Sequence, residues 1–222
     1  MTIRLEVVIM AVLLMGGLTG ASGAVAEPDE KAGVIPAEDY ALYDLVVTSK
    51  FLTSDTRLVV IERMTRFRLS PDQEGSATIG TFQEQGYFDG ELPSELIREF
   101  ISVNHQPGRL EGRFHFGVSY RFATGETIEE PEVSMARPVT VAHERSAQVS
   151  SVLERLAFSR VARSLRNDHA LMCVEVLRPD GTGAGFLVWF RRQERGWTLF
   201  DTEVAWTIQI QEEPEGGQFL AP

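Results

Sequence analysis

Between Ala170 and Trp206 three apolar runs are separated by two short turns, and no other feature of the chain constrains its fold as strongly. The first run, Ala170 to Leu177, carries apolar residues on both faces; the second spans Phe186 to Phe190 and the third Trp197 to Trp206. Pro179-Asp180-Gly181 separates the first pair with the residue types a bend demands, since proline sets φ and glycine accepts positive φ. Glu194-Arg195-Gly196 separates the second pair. Strands joined by connections this short lie side by side and antiparallel, so the chain ends in a meander.

Upstream, helical and strand periodicities alternate. Glu38 and Asp39 suit a helix N-terminus, and Ala41, Leu42, Leu45 and Val46 follow at helical spacing. Leu58-Val59-Val60-Ile61 opens a β-branched run that continues through Met64 to Leu69, and its early residues are apolar on both sides, as in an interior strand. From Ser70 to Gly90 the composition predicts a long irregular connection, and Pro93-Ser94-Glu95 begins a second helix that Pro107-Gly108 stops soon after Asn104. Leu110, Phe114, Phe116, Val118, Tyr120 and Phe122 then fall on even positions with polar residues between them, predicting a strand with one buried face. Residues 125–138 are polar and turn-like. Val149, Val152, Leu153 and Leu156 predict a third helix over His143 to Ala157, followed by a short strand from Phe158 to Arg163 and a turn at Arg166-Asn167-Asp168. The fold class is α+β: a mainly antiparallel sheet of five or six strands with two or three helices packed chiefly on one face.

The N-terminal segment reads as an export signal. Arg4 supplies a thin charged region, Val7 to Leu14 an apolar one, and Ala24 and Ala26 the small residues that a signal peptidase reads, so cleavage is expected between Ala26 and Glu27. The apolar stretch is well short of the ~20 residues that span a bilayer, and no stable membrane span is expected after cleavage. This leaves 222 − 26 = 196 residues, read as a polar leader (27–37), one α+β domain (38–210) and a disordered tail (211–222). Lys and Arg total 21 against 32 Asp and Glu, a net charge of −11 that Arg4 and Glu6 leave unchanged on removal. Such a charge repels phosphate backbones, and nucleic acid is not an expected partner. Cys173 is alone, so no internal disulfide can form and stability must come from packing. Flanked by Met172, Val174 and Val176, it reads as a buried strand residue; His169 lies about 13 Å away along a strand, too far for a thiol–imidazole pair.

The Ile61 to Thr65 strand end, the helix ending Phe100 to Asn104, Phe158-Ser159-Arg160-Val161, Asn167, Ala170-Leu171, Gly183, Gly185 and Gly196-Trp197 together resemble an uncharacterised family of small exported bacterial α+β proteins. The resemblance covers about residues 40–207. It implies a secreted α+β domain and carries over no catalytic residues.

Chemistry is sparsely signalled. No G-x-S-x-G, H-E-x-x-H, glycine-rich phosphate loop or C-x-x-C occurs, and no catalytic residue, metal or cofactor is assigned. Ser159 lacks elbow glycines and reads as a hydroxyl bonded to backbone at a helix-to-strand junction. Glu111 and His115 share a strand face, but Arg113 between them would repel a cation. His143 and His169 sit beside acidic residues at element edges. Trp189, Trp197 and Trp206 all fall in the meander, as core or as a ligand-stacking face. Arg155, Arg160, Arg163 and Arg166 lie within twelve residues and are either an anion site built on bidentate guanidinium forks or surface partners of carboxylates. In a strand over 158–163, Arg160 and Arg163 would point to opposite faces, which favours dispersal. The expected function is a non-enzymatic exported domain that binds a small ligand or a partner protein in the cell envelope or outside it. The alternative is a secreted hydrolase whose site is assembled from distant residues.

Overall fold

The computed structural model describes residues 33–73, 77–129 and 155–209. The expected signal with Ala24 and Ala26, most of the leader, residues 143–154 of the expected third helix and the expected tail lie outside them. In chain order the elements are β1 (Gly33–Val34), α1 (Tyr40–Val46), β2 (Leu58–Glu62), α2 (Ile79–Gln85), α3 (Ser94–Val103), β3 (Gly108–Arg109), β4 (Ser119–Thr124), β5 (Thr127–Ile128), β6 (Arg155–Phe158), β7 (Ala162–Arg163), β8 (His169–Leu177), β9 (Gly183–Gln193) and β10 (Gly196–Ile208). The protein is α+β, and its main sheet runs β10-β9-β8-β6-β2-β4-β5, with β7 also paired to β8.

The meander stands where the turn residues place it. β8, β9 and β10 pair antiparallel, with Gly181 at φ 83° and Gly196 at φ 131° in the two bends. The other half of the sheet departs from expectation. β2 runs parallel to both β4 and β6, so the sheet is mixed, with eight strands among the described residues rather than five or six antiparallel ones. The reason is connection length: β4 follows β2 only after some fifty residues holding two helices, which allows a crossover that a tight turn would forbid.

The helices also divide between the two faces instead of gathering on one. Leu42, Tyr43 and Val46 of α1 pack with Ile61, Phe158, Val174, Val188 and Phe190. Phe82 of α2 and Leu96 and Phe100 of α3 join Leu171, Cys173, Leu187 and Trp189 in a second apolar cluster. β8 is buried from Ala170 to Val176 without interruption, so its alternate side chains belong to different clusters and each face requires its own cover. Burying each large side chain contributes ~1.5–3 kcal/mol, which makes both layers substantial.

Three local expectations change. The 70–90 connection contains α2, capped by the Thr78 hydroxyl, which accepts from Thr81 N at 3.1 Å, and ended by Gly86 at φ 65°. Two turns are too few for a clear helical period. The strand expected from Leu110 begins only at Ser119. Residues 110–118 are instead pinned from outside the sheet: Glu111 N donates to Tyr40 Oη at 2.7 Å and His115 N to Asp44 Oδ1 at 2.9 Å. The alternation nevertheless reports burial correctly, since Leu110, Phe114 and Phe116 are buried while Glu111, Arg113 and His115 are exposed. Finally, Arg155 to Phe158 form β6, so the expected third helix does not reach Ala157.

The leader is likewise more than a polar approach. Gly33–Val34 pairs parallel with Gly108–Arg109, and Ile35 is buried against Gly108, where a Cβ would collide with its side chain.

Candidate functional site

The four arginines singled out in the sequence part into three places. Arg155 binds Glu62 at 2.6 Å and reaches the Gly125 carbonyl across the β2–β6 pair. Arg166 is exposed in the turn before β8. Arg160 and Arg163, however, come to one side, because the strand is broken between β6 and β7. Ser159 produces the break: its hydroxyl accepts from Cys173 N at 2.8 Å and donates to Arg160 O at 2.9 Å. The Asn104 side chain then pairs with residue 160 like a neighbouring strand, accepting from Arg160 N at 2.8 Å and donating to Arg160 O at 3.2 Å. Ser159 is therefore a bulge clamp between two strands, not the end of a helix.

The anion between these arginines belongs to the protein itself. Arg163 pairs with the buried carboxylate of Asp39, and Arg160 lies near enough to add its field, with its guanidinium against Gly33. Burial pushes the Asp39 carboxyl above its ordinary value, and the two arginines only partly offset this. A neighbouring Tyr43, whose hydroxyl donates to Ser159 O at 2.9 Å, completes the junction.

The remaining sequence candidates take structural places. Cys173 is wholly buried, and burial drives its thiol pKa far up, which keeps the thiolate from forming. Glu111 bonds Arg113 at 2.7 Å, and the His115 side chain is 83 % exposed. Among the described residues no group of three or more His, Cys, Asp or Glu stands ready for a metal. His169 Nδ1 accepts the Trp189 indole N–H at 3.1 Å, a bond that its acidic neighbour did not foretell.

Two further constellations had no signal in the sequence. Glu175, fully buried on β8, receives Arg66 at 2.8 Å and Arg68 at 2.7 Å. Trp206 closes over this group, donating its indole N–H to Arg68 O at 3.2 Å, and lies so near Gly185 that a Cβ there would sit 2.5 Å from its Cε2. Phe88 and Asp89 adopt φ of 54° and 53°, which places the Phe88 ring edge-on to Trp189 at 5.7 Å and directs Phe88 N to the Glu203 carboxylate.

A cleft of about 560 Å³ suited to a ligand opens at the start of β2. Phe51, Leu58, Val59 and Leu156 form its apolar floor, continuous with the cluster beneath α1. One wall is the 53–57 turn, stiffened by Thr53 N donating to Thr56 Oγ1 at 3.0 Å and Asp55 N donating to Thr53 Oγ1 at 3.4 Å. The facing wall is Arg178-Pro179-Asp180 of the β8–β9 bend, where Asp180 Oδ1 accepts from Thr182 N at 2.9 Å and Thr182 Oγ1 at 2.7 Å. Those two bonds hold the Asp180 carboxyl below the usual range. The Pro179-Asp180-Gly181 bend was legible in the sequence, but neither the 53–57 turn nor the meeting of the two was, because β2 and the β8–β9 bend come together through the parallel β2–β6 pair.

These elements define an α+β protein with a mixed open sheet and a ligand-sized cleft at one end of it. Comparison with family models, curated proteins and solved structures returns no match.

Proposed function

We propose that this is a non-catalytic binding protein that works after export, holding a small molecule with an apolar body in the cleft between the 53–57 turn and the β8–β9 bend. The cleft carries the reading: about 560 Å³ with an apolar floor and a few polar groups at its mouth is the size and lining by which proteins hold small ligands. Its described lining includes no serine, cysteine or histidine, and the two nucleophiles that the sequence offers are both buried, the Ser159 hydroxyl bonded at a bulge and Cys173 packed in the apolar cluster beneath α3. Export rests on Arg4, the Val7 to Leu14 stretch and the Ala24 and Ala26 pair.

A thermal-shift screen of small amphipathic compounds on the full chain and on Leu58→Trp tests it. Leu58 is a half-buried residue of the cleft floor that lies outside the buried cluster beneath α1, so a larger ring there fills the cleft without entering the core. A compound at a hundred times its Kd adds about 2.7 kcal/mol, a rise of roughly 5–10 °C for a chain of this size. Compounds that stabilise the wild type should fail on Leu58→Trp; equal shifts in both proteins, or none across the screen, overturn the cleft reading.

A further inference from the structure

The charges at the cleft mouth narrow the ligand further, given the reading just stated. Asp55 and Arg57 stand two residues apart on one wall, and both line the opening. Neither forms an ion pair among the described residues, with the other or with any third group. Arg63, Arg66, Arg68, Arg113, Arg155 and Arg163, by contrast, each bind a carboxylate of the protein. The turn bonds through Thr53 and Thr56 fix the backbone that bears the two charges while leaving the Asp55 carboxylate and the Arg57 guanidinium unspent.

A ligand with only one charge would satisfy one of these groups and meet repulsion or nothing at the other. A zwitterion satisfies both. Its ammonium would donate to Asp55, and its carboxylate would accept the planar fork of Arg57, the geometry that guanidinium recognises bidentately. Its apolar part would descend to Phe51, Leu58, Val59 and Leu156. The volume selects within this class, since about 560 Å³ houses a ligand larger than a single amino acid. We infer that the cleft binds a short apolar peptide carrying both free termini, with the N-terminal ammonium on Asp55, the C-terminal carboxylate on Arg57 and the side chains on the sheet floor.

Isothermal titration of the full chain with Leu-Leu, N-acetyl-Leu-Leu, Leu-Leu-amide, free leucine and octanoate decides it. Leu-Leu should bind, and capping either end should weaken it about three- to tenfold, the worth of one charge-assisted contact at a partly exposed site. Leucine should bind more weakly than Leu-Leu because it leaves floor uncovered. Asp55→Asn should erase the difference between Leu-Leu and its N-acetyl form while preserving that for the amide, and Arg57→Gln should do the reverse. Both positions are exposed, so folding is not at risk. Octanoate and the capped peptides binding as tightly as Leu-Leu would overturn the zwitterion while leaving the ligand cleft standing. Absence of binding by Leu-Leu would overturn the peptide assignment, and the thermal-shift comparison with Leu58→Trp would then judge the cleft by itself.

Discussion

Gly185→Ala should be among the most damaging single-methyl additions in this protein, and its cost should vanish when Trp206 is removed. Gly185 lies opposite Trp206 in the β9–β10 ladder, and its backbone does not demand glycine: φ is not positive there. The demand is steric. A Cβ would sit 2.5 Å from Trp206 Cε2 and 2.8 Å from Cδ1, and closer still to Nε1, so the indole must leave. An indole buries 150–250 Å², about 4–6 kcal/mol at 25 cal/mol per Å². Trp206 is 6 % exposed, so nearly all of this is present in the native state. Displacing the ring also breaks its bond to Arg68 O and uncovers the Arg68–Glu175 pair, a loss of about 1 kcal/mol for the bond. Part of the burial is recovered as the ring repacks, so Gly185→Ala should cost about 2–4 kcal/mol and Trp206→Ala about 3–5 kcal/mol. The double variant should cost no more than Trp206→Ala alone, so the coupling should equal the full cost of Gly185→Ala, about 2–4 kcal/mol. Urea unfolding of the four proteins of this cycle measures it. Additivity within about 0.5 kcal/mol would show that the ring does not occupy the space above Gly185.

Phe116→Ala should cost about 3–5 kcal/mol, since Phe116 is buried against Phe114 and Tyr120, whereas His115→Ala should fall within about 0.5 kcal/mol of zero; equal losses in a denaturant titration would refute the face assignment. Cys173 should react with a thiol reagent only as fast as the protein opens, because it is fully buried and its thiolate is suppressed, so fast labelling under native conditions would contradict its place between α3 and the sheet. Arg63 holds the Glu129 carboxyl down, from about 4.5 to about 2. A depressed folded pKa means that this contact stabilises the fold above the unfolded value and is lost as pH falls toward 2. Carboxyl NMR should therefore show Glu129 still ionised at pH 3.5; a midpoint near 4.5 would show the bond to be absent.

Local chemistry alone settled a good part of this protein. Pro179-Asp180-Gly181 and Glu194-Arg195-Gly196 determine a meander because bends that short leave adjacent antiparallel pairing as the only way to close the ladder. Leu96, Ile97 and Phe100 determine α3 by their spacing, and the even positions from Leu110 determine which side chains are buried even where no strand forms. Tertiary structure decided the rest. The same alternating segment is a strand only from Ser119, because Tyr40 and Asp44 capture the backbone of Glu111 and His115 before a neighbouring strand can. Arg160 and Arg163 reach one place only because Ser159 and Asn104, fifty-five residues apart in sequence, jointly impose a bulge between them. Asp39 as their partner, the parallel pairing of β2 with β4 and β6, and the meeting of two ordinary polar turns around a cleft all depend on contacts between distant residues. Periodicity and turn chemistry report which side of an element is apolar and where the chain must bend. Which distant element covers that side is decided by packing among all of them at once.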